Sequence, residues 1–317
     1  MNIFIYAVLV FLTLRFSVTL FNFISNPKLG DYRRKFSEKV KVVIRSHPDQ
    51  QVVNRLLDSI GKQDYEHLEV VMSDEPFDVA DSSYILVIDP NISIQKGFIN
   101  SLVYRTRIFN LSMLSIIPTQ QNKGLLPGCL FPVSDFVLLN LFPLRAVRLI
   151  NHPVFSAAHE SCLFFEAGVY HRLQLHQQVT DPAIAVTDVV KMLKQEQLKV
   201  DVLLGNKLVN VQHRADAAEF GLFSKRLMLS FSNYTFVAMV YVLLVVVGPA
   251  VLLLRFAPVF YILPFGLIFL SRIMISFMTS QNPVLSLILH PLQMIGLTFT
   301  SLTAFFGNLF TAGRQKK

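Results

Sequence analysis

The chain has 317 residues, of which 52% are hydrophobic and 16% are charged, and its formal net charge is +8. A soluble domain has about 25% charged residues, and here the deficit is concentrated in residues 231–311, where Arg255 and Arg272 are the only charged side chains. This composition argues against a purely soluble protein and predicts C-terminal membrane helices. The two cysteines, Cys129 and Cys162, have no CxxC or Cys/His spacing, so neither a disulfide framework nor a zinc site is expected.

Residues 1–26 are predicted to form an N-terminal transmembrane helix. The first 25 residues are mostly apolar, with Arg15 as the only charged side chain, and about 20 apolar residues cross the hydrocarbon core as a helix. The basic start, short apolar core and cleavage site of a signal peptide are absent. Basic residues crowd the following stretch, 28–41, which predicts a cytoplasmic domain and an external N-terminus. Aromatic and basic residues are not interleaved in a recognition pattern, so nucleic acid is not an expected partner.

Residues 38–228 are predicted to form a cytoplasmic α/β domain. Short apolar runs at 40–44, 68–73 and 84–88 indicate strands, and the apolar spacing over 50–60 indicates a helix. Strand–helix–strand repetition with near-continuous apolar strands predicts a mostly parallel sheet with helices on both faces. Ligands of such sheets lie beyond the carboxyl ends of the strands. The polar sequences "RSHPD", "SDE" and "DPN" follow the three strands at that edge.

The remainder of the domain is less regular. The stretches "SMLSIIP", "SCLFFE" and "LKVDVLLG" are predicted strands, and "VTDVVKMLKQEQ" is a predicted helix. Within residues 101–158, the apolar and proline-interrupted part leaves two interpretations open. It is either an interfacial segment with Arg145 and Arg148 near lipid headgroups, or a buried core helix.

Residues 231–311 contain apolar runs at about 234–254, 256–278 and 284–310, each long enough to span a bilayer. Three complete spans would place the basic tail, 312–317, outside the cell, against the positive-inside rule. Two spans and a re-entrant or interfacial helix would keep the tail inside. We expect three membrane helices and leave open which of them are complete.

Four stretches occur in an order that is typical of one enzyme family. They are "LLDSIGKQDYEHLEVVMSDEP", "YILVIDPNI", "FPLRAVRLINHPVFSAAHESCLFFEAGVYHRL" and "GLFSKRL". In this order and spacing the chain resembles the membrane-anchored family-two glycosyltransferases, which are inverting enzymes that use nucleotide-diphospho-sugars. The resemblance covers most of residues 38–228. It implies a glycosyltransferase A-type nucleotide-sugar domain.

The resemblance also implies site residues. Asp49 falls on the acidic position after the first strand, and Asp74 and Glu75 fall on the paired acids after the second. Asp89 matches the first aspartate of the family's metal motif, and Asn91 stands where a second aspartate is usual. Asp49, Asp74, Glu75 and Asp89 would bind the nucleotide sugar. Asp89 and Asn91 would together hold Mg²⁺ or Mn²⁺, which prefer oxygen ligands. Asp-Pro-Asn is also the composition of a simple turn.

Asp188 falls on the acidic motif before the late helix and is implied as the general base, which would take the proton of the acceptor hydroxyl. Asp181 is an alternative that needs a longer gap before the next strand. An aspartate near a helix N-terminus is also favourable with the helix dipole regardless of catalysis.

These observations predict a membrane-bound, hexosyl-type glycosyltransferase that acts on a lipid or polyprenyl-type acceptor at the inner or plasma membrane. The family pattern is broken at Pro76, Asn91, Glu160 and Thr187, which leaves a catalytically inactive membrane scaffold as the alternative. A transporter is disfavoured because the predicted spans carry almost no ionisable residues.

Overall fold

The computed structural model describes residues 2–73, 81–121, 124–180, 185–212, 221, 223–224, 227–228, 231, 234–255 and 261–314. The chain divides into two compact units. The sheet unit comprises Ser25–Gln121 and Leu144–Gln212, and the helical unit comprises Met1–Ile24, Asn122–Pro143 and His213–Lys317. The segment Asn122–Pro143 therefore groups with the two terminal segments and not with the sheet that precedes and follows it.

Nine strands lie in the described part of the sheet unit. They are β1 (Val40–Ile44), β2 (Leu68–Met72), β3 (Tyr84–Ile88), β4 (Ile92–Ile94), β5 (Met113–Ile117), β6 (Thr119–Gln120), β7 (Cys162–Glu166), β8 (Val200–Leu204) and β9 (Val209–Val211). The main sheet has the order β2-β1-β3-β7-β5-β8, and a small second sheet has the order β4-β9-β6. In the main sheet β7 is antiparallel to its neighbours and the other five strands run parallel. A mostly parallel α/β sheet is therefore confirmed.

The helices are numbered through the chain. They are α1 (Asn2–Ser25), α2 (Gln50–Gly61), α3 (Phe98–Phe109), α4 (Leu125–Leu130), α5 (Pro132–Leu141), α6 (Leu144–Leu149), α7 (Ala167–Arg172), α8 (Leu175–Thr180), α9 (Val186–Gln195), α10 (Thr235–Val242), α11 (Gly248–Arg255), α12 (Ile262–Met278), α13 (Pro283–Ile288) and α14 (His290–Arg314). A short 3₁₀ helix covers Pro153–Phe155, and a π-helical segment, Leu243–Val247, joins α10 to α11.

Helices cover both faces of the main sheet, as predicted. Successive side chains of a strand point to opposite faces. Phe164 of β7 belongs to the core that contains Leu56 of α2 and Leu102 of α3, whereas the ring of Phe165 lies 5.3 Å from that of Tyr170 in α7. Because both faces are buried, the strands read as continuous apolar runs rather than as alternating ones.

The helical unit contains two described helices that are long and apolar enough to cross a membrane, Ile3–Ser25 and Thr235–Leu254, judged by length and composition. The apolar helix Ile262–Met278 is shorter, with 17 residues. The last predicted run, 284–310, is divided between α13 and α14, and Pro291 occupies the first turn of α14, where a missing N–H costs little.

Small and polar residues bring the helices of this unit together. A Cβ atom on Gly248 of α11 would lie 2.5 Å from Cγ2 of Val8 in α1, so only glycine allows this close approach. Asn22 of α1 donates from Nδ2 to the carbonyl oxygens of Leu139 and Phe142, at 2.9 and 2.8 Å. The segment that contains α5 is therefore bonded to the N-terminal helix.

Candidate functional site

The candidate site lies at the carboxyl edge of the main sheet. Three backbone hydrogen bonds link the strand ends there: Ser73 N to Ile44 O at 2.8 Å, Arg45 N to Ile88 O at 3.1 Å, and Asp89 N to Ser161 O at 2.9 Å. Because β7 is antiparallel, it begins at the edge where β1, β2 and β3 end. Neighbouring strands are about 4.8 Å apart, so four adjacent strand ends form a polar row about 15 Å long.

Asp89 lies inside this row, at the end of β3. Its Oδ1 accepts from the backbone N–H of Asn91 at 3.1 Å, and its carbonyl oxygen accepts from Ile92 N at 3.1 Å. The Asp-Pro-Asn sequence therefore forms the turn that its composition predicts, between β3 and β4. Asp89 and Asn91 are both partly exposed, so the turn also presents a carboxylate and an amide at the edge of the sheet.

These two side chains fit a hard divalent cation in donor type, because Mg²⁺ and Mn²⁺ take oxygen ligands. They supply one negative charge instead of two. Among the residues that the structure describes, no group of three or more His, Cys, Asp or Glu side chains is placed to hold a metal. A cation bound at this turn would therefore need further oxygen ligands from a substrate and from water.

Asp49 caps helix α2. Its Oδ1 accepts from Gln51 N at 2.9 Å, and its own N–H donates to Nδ1 of His47 at 3.0 Å. A cap of this kind satisfies one of the unpaired N–H groups at a helix start and stabilises the helix by about 1 kcal/mol. The carboxylate implied by the resemblance thus has a structural partner in the folded chain.

Asp188 lies in the first turn of α9, with a side chain that is 60% exposed. Lys191, one turn along, donates to its Oδ1 at 2.8 Å. Four residues separate the end of α9 from the start of β8, so the helix runs antiparallel to that strand. Ten helical residues rise about 15 Å and five strand residues about 16 Å. The start of α9 is therefore level with the carboxyl end of β8, which lies at the same edge of the sheet as Asp89.

Asp74 and Glu75, the predicted paired acids after β2, lie outside the described residues, and so does Asp181, the alternative base. Ser73, the last described residue before them, bonds to β1 at the edge described above. Its hydroxyl also accepts from the backbone N–H of Ser46 at 3.2 Å.

Two further polar residues at this edge, Arg45 and His159, are not among the site residues predicted from the sequence. Arg45 donates from Nη2 to the carbonyl oxygen of Val179 at 2.7 Å and so connects the end of α8 to the end of β1. His159 accepts from Ser161 N at Nδ1, at 3.3 Å, so its neutral ring carries the proton on Nε2. Ser115 holds the backbone of His159 through its hydroxyl, at 2.8 and 3.0 Å. In the sequence, the only indication that Arg45 and His159 belong to the site is their position beside predicted strand ends.

Comparison with known proteins yields distant likenesses. No protein-family model matches the chain, and no curated protein is similar to it in sequence. Among solved structures, the mannosyltransferase PcManGT of Pyrobaculum calidifontis, in complex with GDP-Man and Mn²⁺, aligns with a TM-score of 0.48 and 11% identity over 96% of this chain and 99% of its own. Residues 1–349 of S. aureus TarS, in complex with UDP-GlcNAc, align with a TM-score of 0.38 and 11% identity over 85% of this chain and 92% of that one. Both similar structures contain a bound nucleotide sugar.

Proposed function

We propose that the chain is a membrane-bound, inverting glycosyltransferase of the family-two type, with its α/β domain in the cytoplasm. It would transfer a hexosyl group from a nucleotide-diphospho-sugar to a lipid or polyprenyl-type acceptor. One observation carries the proposal: Asp89 directly follows β3 at a continuous polar edge, with Arg45 and Ser161 at the ends of the two neighbouring strands, β1 and β7. The order of the motifs along the chain supports it.

The proposed roles follow the position of each residue. Asp49 follows β1, Asp74 and Glu75 follow β2 in the sequence, and these three residues would bind the nucleotide. Asp89 and Asn91 would hold a divalent cation, which supplies Lewis-acid stabilisation of the diphosphate leaving group when it is bound. Arg45 and His159 would offer N–H donors near the same phosphates.

The bond changes are those of a single displacement. The acceptor hydroxyl oxygen attacks the anomeric carbon, the bond from that carbon to the diphosphate oxygen breaks, and the nucleoside diphosphate leaves. Asp188 accepts the hydroxyl proton. Because attack and departure occur on opposite faces of the sugar, the anomeric configuration inverts.

A lipid acceptor is proposed because the catalytic domain follows an apolar helix directly. The helix Ile3–Ser25 ends three residues before the basic segment that begins at Lys28. A domain attached in this way stays at the bilayer face, where an acceptor with an apolar chain is concentrated.

The test uses the full-length chain purified in detergent. A panel of nucleotide sugars is supplied with Mn²⁺ and a lipid extract, and sugar transfer and donor hydrolysis are measured. At least one donor should turn over, and Asp188→Asn should lower turnover at least a hundredfold while nucleotide binding, measured by calorimetry, is retained. Absence of both turnover and nucleoside diphosphate binding across the panel would refute the proposal.

A catalytically inactive scaffold with the same fold is the second candidate. The amide of Asn91 in place of a carboxylate and the ion pair of Asp188 with Lys191 favour it. It predicts nucleotide binding without transfer, unchanged by Asp188→Asn.

A further inference from the structure

The helical unit contains two buried arginines around one aromatic ring. Arg15 of α1 is 4% exposed and Arg272 of α12 is fully buried. Their guanidinium carbons lie 5.3 and 5.1 Å from the ring centre of Phe136. The imidazole of His290 packs against the same ring, 5.3 Å between ring centres, and Tyr241 lies 5.1 Å from the guanidinium of Arg15.

Several polar atoms of this cluster have no partner. Among the described residues, nothing is within hydrogen-bonding reach of Nε of Arg15, Nη1 and Nη2 of Arg272, Nδ1 of His290 or the hydroxyl of Tyr241. The Nε atom of Arg272 donates to Ser286 O at 3.4 Å. An unpaired buried donor costs about 1–3 kcal/mol, and more when it is charged. The cluster is therefore poor in acceptors for its hydrogen-bond donors.

The buried charges that the structure describes in this unit are mainly positive. The buried charged side chains described in this unit are Arg15, Arg272 and Asp135, and the carboxylate of Asp135 is close enough to attract Arg272. Among the side chains that the structure describes in this unit, one buried carboxylate stands against two buried arginines, so their summed charge is +1. Buried charges in a membrane-embedded helical unit are costly and mark functional sites by default.

We propose that this cluster, defined by Arg15, Tyr241, Arg272 and His290, is a binding site for a phosphate group. The flat guanidinium fork matches phosphate oxygens in a bidentate geometry. Arg15, Arg272 and His290 lie around the ring of Phe136, and Tyr241 lies beside Arg15. A phosphate offers at least three oxygens to donors on these side chains, where a carboxylate offers two. The phosphate is carried either by a lipid that reaches the site through the bilayer or by a free phosphate ion.

The experiment measures binding to the full-length chain in neutral detergent, by native mass spectrometry and by the shift of the thermal unfolding midpoint. The probes are inorganic phosphate, phosphatidic acid and diacylglycerol with the same acyl chains. If phosphatidic acid binds and inorganic phosphate does not, the phosphate is carried by a lipid. If inorganic phosphate binds and competes with phosphatidic acid, the ligand is the free ion. Diacylglycerol should produce no shift in either case.

Two substitutions remove one positive charge each. Arg272→Gln should weaken phosphate binding at least tenfold, whereas Arg33→Gln, at a position whose side chain is 89% exposed, should change it less than twofold. Arg272→Lys should give an intermediate loss because it keeps the charge and loses the fork. If Arg272→Gln fails to fold, His290→Gln replaces it, with an expected loss of at least threefold.

The site is refuted if the folded wild-type chain binds neither phosphate probe, or if Arg272→Gln and Arg33→Gln bind equally. No nucleotide sugar takes part in this measurement. If the protein transfers no sugar, the proposal of a phosphate site is therefore not refuted. If it binds no phosphate, the proposal of sugar transfer is not refuted.

Discussion

At the scale of single residues, the three predicted site carboxylates that the structure describes have structural partners in the folded chain. Asp49 caps α2, Asp89 closes the turn after β3, and Asp188 pairs with Lys191. A turn or a cap fixes the direction of a carboxylate, and a fixed direction is what a metal or a proton transfer requires. The structural and the functional interpretations are therefore compatible, and substitution of single residues separates them.

Asn91→Asp should strengthen Mn²⁺ binding about tenfold, because a second carboxylate at the turn adds an anionic oxygen ligand. Mn²⁺ affinity can be measured by electron paramagnetic resonance of the free ion. Asn54→Asp, at an exposed position of α2, adds the same charge away from the turn and serves as the control. Equal affinities in the two variants would show that Asn91 does not face a cation.

Asp188→Asn should lower the rate of sugar transfer at least a hundredfold and leave the affinity for nucleoside diphosphate within twofold, because a general base contributes about 10²–10⁴-fold to the rate. Single-turnover kinetics and calorimetry measure the two quantities. Lys191→Ala removes the ion-pair partner at 2.8 Å and should retain most of the activity. A joint loss of transfer and of binding in Asp188→Asn would indicate a structural role.

At the scale of elements, two buried ionic groups hold the irregular segment around α6 in the sheet unit. Lys194 of α9 is fully buried and donates to the carbonyl oxygens of Val147, Ile150 and Phe155 at 2.7–2.8 Å. Asp201 of β8, also fully buried, binds Arg105 of α3 at 2.7 Å and lies 3.6 Å from Nε of Arg148. Arg148 therefore faces an internal carboxylate, and the hypothesis that it lies at lipid headgroups loses its motivation.

Burial lowers the pKa of Lys194 to about 8, while the pKa of an unfolded lysine is about 10.4. Between these values the unfolded chain binds a proton that the folded chain lacks. The free energy of unfolding of the wild type, relative to Lys194→Met, should therefore rise by about 3 kcal/mol from pH 8 to 10.4. Labelling of the buried Cys162 thiol in a Cys129→Ser background reports the opening of the sheet unit.

The exposed residue Lys207 supplies the control for this measurement. Lys207→Met should follow the wild type at every pH. If the difference in the free energy of unfolding between wild type and Lys194→Met stays constant from pH 8 to 10.4, the lowered pKa of Lys194 is contradicted.

Asp201→Asn should destabilise the sheet unit by about 3 kcal/mol, because it leaves two partly or fully buried arginines without their carboxylate. Unfolding in urea with Cys162 labelling measures the change. Asp31→Asn at the exposed pair with Arg33, 3.8 Å apart, should have little effect, since exposed pairs contribute little. Similar effects in both variants would exclude a stabilising role for the buried pair.

At the scale of the whole molecule, the proposed membrane attachment has the widest consequences. Two described helices, Ile3–Ser25 and Thr235–Leu254, have the length and apolarity to cross a bilayer. The basic residues after the first of them favour a cytoplasmic sheet unit. In the proposed function, this topology would set the side from which the nucleotide-sugar donor arrives.

The topology is tested with single cysteines in a chain that lacks Cys129 and Cys162. Asn2→Cys should react with a membrane-impermeant maleimide from outside intact cells, and Lys35→Cys should react only after the cells are opened. The opposite labelling pattern would place the sheet unit outside the cytoplasm.

The sequence alone determined the local elements and the apolar helices of this protein. The strands at 40–44 and 84–88, the helices that begin near residues 50 and 186, and the N-terminal helix were all predicted. They were predictable because the spacing of apolar residues depends on which local faces are buried. Tertiary structure alone decided that β7 is antiparallel, that Asp201 is enclosed by two arginines, and that Asn122–Pro143 groups with the terminal helices. These features join residues far apart in the chain, and their energies depend on packing and desolvation that no local spacing records.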